Sequence, residues 1–146
     1  MLAQDVSDNP VYTISTAASL LNISVHTLRM YEREGLIIPY KKESHQRLYS
    51  DKDLERMRCI RKTISEDKIG IEGIRRILSL IPCWGILNCS KKDRQNCHAY
   101  SEYSKPCWML NHKDNYCASR DCRTCEVYSS FGNCESIKDK LKEIIL

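Results

Sequence analysis

No stretch of some 18 apolar residues occurs in the 146-residue chain, and no apolar run follows a basic flank near Met1; the sequence thus predicts neither a membrane span nor a secretory leader. A cytoplasmic protein with no membrane partner is expected. The chain also lacks a Gly-rich cofactor-binding motif, so no catalytic residue is assigned and it is read as a non-enzyme. Charge of one sign is barely in excess. The 23 basic and 19 acidic side chains leave a net charge of +4, a mild hint of an acidic partner that a dimer would double. Aliphatic side chains become scarce after Pro82, where eight of the nine cysteines lie. A region of about fifty residues so composed cannot bury a core large enough to fold alone, so something must staple it. Without a secretory leader, cysteines on this scale point away from a disulfide framework and toward metal or redox chemistry.

What is present in the first half is a helix pattern broken by one sharp turn. Ile14, Ala17, Ala18 and Leu21 share an apolar face at helical spacing, and Ile23 and Leu28 supply apolar residues beyond the turn. Ser15 is available to cap the first helix, Asn22 suits a left-handed stop, and Ser24 can cap the second helix. This is helix-turn-helix geometry. The outward residues of the second helix are His26, Thr27, Arg29 and Arg33, all able to donate to phosphates or base edges. The plainer alternative is an ordinary helical hairpin with a solvated face.

Gly35 ends the second helix, and Leu36–Tyr40, bounded by Pro39, reads as an edge strand. Arg47-Leu48-Tyr49 can pair back across the polar turn Lys41–Gln46, making a wing whose Lys41, Lys42, His45 and Arg47 concentrate positive charge. Read by itself, a run of lysines is only a solvated turn. Ser50 and Asp53 form a near-capping box ahead of a helix over 51–65, with Arg58, Arg61 and Lys62 facing mainly water. A break at 67–70 precedes a second amphipathic helix, from Ile71 to Ile81, that stops at Pro82.

These blocks in this order carry a family resemblance. Tyr12-Thr13-Ile14, Thr27-Leu28-Arg29, Tyr31–Leu36, Arg47-Leu48-Tyr49-Ser50 and Ile74–Leu78 together resemble the DNA-binding domain of the MerR family of bacterial transcription regulators. Gln46–Tyr49 and Ile71–Arg76 lean toward its heat-shock repressor branch, HspR. The resemblance implies a homodimer on a palindromic double-stranded DNA operator, with the second helix in the major groove and the wing on flanking backbone. Thr27, Arg29, Tyr31, Arg47 and Tyr49 inherit DNA-contacting roles by motif position, and RNA polymerase becomes a candidate partner. One departure is Met30, which stands where many relatives carry a tyrosine that reaches phosphate.

The second half contains a repeat. Cys83-Trp84 is followed by Cys89, Cys97 and Tyr100, and Cys107-Trp108 by Cys117, Cys125 and Tyr128: C-W-x4-C-x7-C-x2-Y and C-W-x8-C-x7-C-x2-Y. Two copies predict a duplicated unit with pseudo-twofold symmetry, each giving three thiols and a Trp–Tyr pair to pack around them. Cys122, in C-x2-C with Cys125, and Cys134 stand outside the repeat. The candidate metal ligands are Cys83, Cys89, Cys97, Cys107, Cys117, Cys122, Cys125 and Cys134; they suit an iron–sulfur cluster, which is favoured, or zinc. His98 and His112 read as structural or exposed, and Cys59 as a small buried hydrophobe.

The sequence therefore predicts a mainly α chain: a winged helix-turn-helix domain over 11–82, a duplicated cysteine-rich metal-binding module over 83–134, and a short amphipathic helix over 135–146. Pro82 interrupts the place where relatives extend a dimerisation helix, so the dimer contact falls to this tail, to the cysteine module, or to both. The expected function is a DNA-binding regulator whose module senses metal or redox state. Two alternatives are a purely structural zinc module for dimerisation and a redox enzyme or electron carrier.

Overall fold

Short polar side chains set the start of the first helices in the computed structural model, which describes residues 6–110, 112, 117–131 and 136–145. Strand β1 (Tyr12–Thr13) pairs with Leu48 and Tyr49 and holds Thr13 extended, so Thr13, not Ser15, caps α1 (Ile14–Leu20) by accepting the Thr16 N–H at 3.3 Å. Ser15 is already inside the first turn. Asn22 takes the left-handed conformation at φ 54°, and Ser24 caps α2 (Val25–Arg33) by accepting the Thr27 N–H at 3.0 Å.

Gly35 follows the cap residue Glu34 at φ +75°, a conformation that glycine adopts without steric cost. The edge strand expected over Leu36–Tyr40 shrinks to β2 (Tyr40–Lys41). Leu36 and Ile37 are instead buried, and the backbone of Ile38 is bonded to side chains of Arg123 and Tyr128 rather than to a strand. Strand β3 (Arg47–Tyr49) lies between β1 and β2, antiparallel to both, with Leu48 opposite Thr13 and Tyr40.

Helix α3 (Asp51–Ser65) begins in a complete capping box, Ser50 accepting from the Asp53 N–H at 3.1 Å and Asp53 from the Ser50 N–H at 2.8 Å. Helix α4 (Ile71–Ser79) ends two residues sooner than expected, because the residue before a proline is disfavoured in a helix and Ile81 precedes Pro82. One core, with Leu28, Leu36, Tyr49 and Met57 at its centre, joins the helix-turn-helix, the sheet, α3 and α4.

Past Pro82 the chain forms short turns of helix: α5 (Cys83–Ile86), α6 (Lys91–Gln95), α7 (His98–Ser101), a 3-10 turn over Cys107–Met109, α8 (Glu126–Ser129) and α9 (Ser136–Ile145). Their core is small. It consists of Ile81, Val127 and Phe131, with Leu78, Trp108 and the thiols Cys83, Cys107 and Cys125 packed against it. The tail helix is present as α9, and Cys134 lies outside the described residues. No helix among the described residues is long and apolar enough to cross a membrane.

The turn between α1 and α2 depends on Asn22. Asn22→Gly is expected to leave stability within about 0.5 kcal/mol, whereas Asn22→Val should cost about 1–2 kcal/mol by forcing a branched side chain into the left-handed region, read from urea unfolding midpoints.

Candidate functional site

Two features carry exposed cationic side chains, helix α2 and the wing. His26, Arg29 and Arg33 are exposed on α2, while Thr27 is half-buried with its hydroxyl 2.9 Å from that of Ser24. The wing tip, Lys41–Gln46, is exposed, and its turn is closed by Lys42 N–H to the Gln46 carbonyl at 3.0 Å and His45 N–H to the Lys42 carbonyl at 2.8 Å.

Glu32, on the last turn of α2, connects the two features. Its carboxylate accepts from Nε of Arg47 at 2.6 Å and sits 3.8 Å from the Lys41 ammonium, and this bond raises the Arg47 pKa further. Arg47 is thus oriented by the protein itself.

Two expected DNA contacts are corrected. Tyr31 and Tyr49 are 2% and 0% exposed, because one lies on the inward face of α2 and the other on the central strand, so both serve the core. Burial pushes the Tyr49 pKa up, and its hydroxyl has no hydrogen-bond partner among the described residues. The net cost of such an orphan is about 1–3 kcal/mol.

In the second half the repeat is visible as matching geometry. Trp84 meets Tyr100 and Trp108 meets Tyr128, each pair at 5.2 Å between centroids and nearly edge-to-face, at 82° and 87°. Pro82 and Pro106 precede the two Cys-Trp turns, and Cys97 and Cys125 precede the two turns that carry the tyrosines.

The thiols gather around two adjoining cavities with almost wholly apolar walls. Cys83, Cys89, Cys97, Cys107 and Cys117 line one; Cys107, Cys117, Cys122 and Cys125 line the other, and His112 borders both. These seven cysteines are half-buried. Cys83 and Cys107, the first thiol of each copy, share a hydrogen bond that lowers the pKa of the former and raises that of the latter. Burial pushes Cys117 up to about 12 and also raises Cys89 and Cys122.

Among the described residues no group of three or more His, Cys, Asp or Glu side chains stands in metal-binding geometry. His112 is engaged within the site, Nδ1 lying 3.8 Å from Cys97 Sγ and Nε2 2.6 Å from the Cys107 carbonyl. Cys59 differs from the expected buried hydrophobe: it is half-buried and disulfide-bonded.

Spacing alone did not reveal how the second copy meets the winged domain. Trp108 Nε1 donates to the Gly35 carbonyl at 2.7 Å, and the Tyr128 hydroxyl accepts from the Ile38 N–H at 2.9 Å. Arg123, inside the C-x2-C, donates to the Ile38 carbonyl and forks onto Asp53 at 2.7 and 3.1 Å. Arg56 lies 3.7 Å over the Tyr128 ring and donates to the Tyr128 carbonyl. No local pattern marks these contacts, which join residues about seventy or more positions apart.

Residues 12–81 match the family model described as MerR HTH family regulatory protein. The chain is similar to the putative heat shock protein HspR of Streptomyces coelicolor, 40% identical over 73 residues that make up 50% of this chain and 48% of the relative. It is also similar to the uncharacterized HTH-type transcriptional regulator YyaN of Bacillus subtilis, 38% identical over 69 residues, 47% of this chain and 49% of the relative. The chain spans about half the length of these curated relatives. The family match ends at Ile81, just before the first repeated cysteine.

The two tyrosines of the repeat offer a matched comparison, since Tyr128 is 4% exposed and Tyr100 47%. Tyr128→Phe removes the acceptor of the Ile38 N–H and should cost about 1–3 kcal/mol, while Tyr100→Phe should stay within about 0.5 kcal/mol, measured by chemical denaturation under reducing conditions.

Proposed function

We propose, from the match of residues 12–81 to the MerR HTH family, that the protein is a sequence-specific transcription regulator that binds a palindromic operator as a homodimer. The observation that carries this reading is the cationic face formed by α2 and the wing. Helix α2 enters the major groove, where Arg29 and His26 read base edges and Thr27 and Arg33 meet backbone. Lys41, Lys42 and His45 lie over the adjacent phosphates. Arg47, held at Nε by Glu32, has its terminal nitrogens left for a phosphate.

We further infer that the cysteine module holds a metal centre, an iron–sulfur cluster ahead of zinc, and that its metal or redox state governs DNA binding. Support comes from donor chemistry: seven half-buried thiols border two adjoining apolar cavities. That donor set fits a thiolate-bound centre, with Cys83, Cys89, Cys97, Cys107, Cys117, Cys122 and Cys125 as the available ligands. Such a centre would supply a crosslink between the copies that oxidation or chelation removes. The small core of Ile81, Val127 and Phe131 is consistent with a fold needing that crosslink.

Arg29→Ala should weaken operator binding by about 1–3 kcal/mol and relax base preference at one position, whereas Lys42→Ala should weaken all sequences alike and lower the salt slope by about one. Gel-shift titrations on matched and mismatched duplexes read both; binding by Arg29→Ala with parental affinity and preference would remove the assigned role.

Anaerobic purification should yield a protein with visible absorption and stoichiometric iron and sulfide, lost in Cys83→Ser and Cys107→Ser. Stoichiometric zinc that stays inert to oxidants would instead assign the module a structural role.

A further inference from the structure

The segment Gly35–Pro39 is the entire connection between the cap of α2 and strand β2, so its conformation, together with the Glu32–Arg47 pair, bears on the angle between α2 and the wing. Both ends of this connection are held by the second cysteine repeat. Trp108 binds the Gly35 carbonyl, Tyr128 accepts the Ile38 N–H, and Arg123 binds the Ile38 carbonyl while pairing with Asp53 at the start of α3. A side chain at Gly35 would collide with Met109, so the 3-10 turn that carries Trp108 lies directly against the connection. The first repeat is placed differently. Its Tyr100 is 47% exposed, and it reaches the winged domain through Pro82 and through the bond from Ser79 Oγ to the Tyr103 carbonyl at 2.9 Å.

Each clamping residue is also tied to a thiol. Trp108 directly follows Cys107, Arg123 lies between Cys122 and Cys125, and Tyr128 stands one helical turn after Cys125. A change in the arrangement of Cys107, Cys122 and Cys125 therefore displaces the groups that hold Gly35 and Ile38. A packed contact of this kind is engaged or released rather than gradually deformed.

We propose that the second cysteine repeat is a latch on the connection between the reading helix and the wing, closed when the thiol site is loaded and released when it is emptied. The regulation rests on the reading that the thiols hold a metal centre; the clamp itself does not. Loading the site aligns α2 and the wing on one stretch of duplex. Emptying it frees Gly35–Pro39, and the wing is left positioned against α2 by the Glu32–Arg47 pair alone, so DNA affinity falls even in a chain that stays dimeric.

The experiment uses the full chain purified anaerobically, a chelator as the emptying agent, and a duplex selected by the parent protein from a random library. Native-state hydrogen exchange at the Ile38 amide is measured in loaded and chelator-treated protein, together with metal content and duplex affinity. The Ile38 amide should be protected in the loaded protein and exchange at least about tenfold faster after chelation, with a parallel loss of affinity. Trp108→Phe keeps the aromatic packing and removes the N–H donor; Arg123→Gln removes the ion pair. Both should retain parental metal content yet bind the duplex about tenfold more weakly, with a reduced response to chelator, while Tyr100→Phe in the first repeat behaves like the parent.

Equal Ile38 protection before and after chelation of a metal-loaded parent would overturn the regulated latch, as would variants with parental metal content, affinity and chelator response. If the parent binds no metal, the metal reading fails and the regulated latch falls with it; weakened duplex binding by the two variants would then identify a permanent clamp. A folding defect in either variant leaves the Ile38 measurement on the unaltered chain to decide.

Discussion

The carboxylate of Asp53 serves two parts of the molecule at once. It accepts the Ser50 N–H in the capping box of α3, and it receives the forked guanidinium of Arg123 from the cysteine-rich half. The pair is nearly closed to solvent, with side-chain exposures of 14% for Arg123 and 7% for Asp53. A desolvated pair of this kind is costly to break, because either partner left alone is a buried charge. Arg123 also binds the Ile38 carbonyl, so the start of α3, the exit from α2 and the second repeat meet at one ionic contact. Detaching the cysteine module would leave Asp53 without its cation and Ile38 without partners for its backbone.

The last turn of α2 has a similar organising role on the other side. Glu32 holds Arg47 of the wing at 2.6 Å, and Glu34 holds Arg75 of α4 at 2.8 Å. Two acidic residues at a helix C-terminus are unfavourable to the helix dipole by themselves. Their cationic partners offset this and fix α2 against both neighbours. The exposed side chains His26, Arg29 and Arg33 consequently sit on a helix braced at its end, with a wing whose position that brace helps define. Preorganisation of this kind lowers the ordering cost of binding a charged polymer.

The cysteine-rich half differs in kind from the winged domain. Its core is a few apolar side chains supplemented by thiols, its helices before α9 are four or five residues long, and its two copies share near-equal Trp–Tyr pairs. One copy continues from α4 with no intervening linker, the Cys83 N–H bonding to the Ile81 carbonyl at 2.8 Å. The other turns the equivalent aromatic pair inward against Gly35, Ile38 and Arg56. The two aromatic pairs thus have matching geometry but different surroundings, one continuing from the winged domain and the other packed against it.

Much of the local architecture was readable in the chain itself. Asn22, Ser24, Gly35 and the Ser50–Asp53 pair each act within a few residues of their own position, so turn and cap chemistry determined where α2 starts, where it stops, and where α3 begins. The cysteine repeat likewise indicated the pairing of each Trp with the Tyr of its own copy. Tertiary structure alone decided that Tyr31 and Tyr49 belong to the core and not to the exposed surface, because burial depends on which face of α2 and which strand of the sheet meets α3. It also decided that Leu36–Pro39 forgoes strand pairing. The groups that bind Ile38 lie 85 and 90 positions away, in Arg123 and Tyr128, and a contact between such distant residues leaves no periodicity or spacing for a local reading to detect.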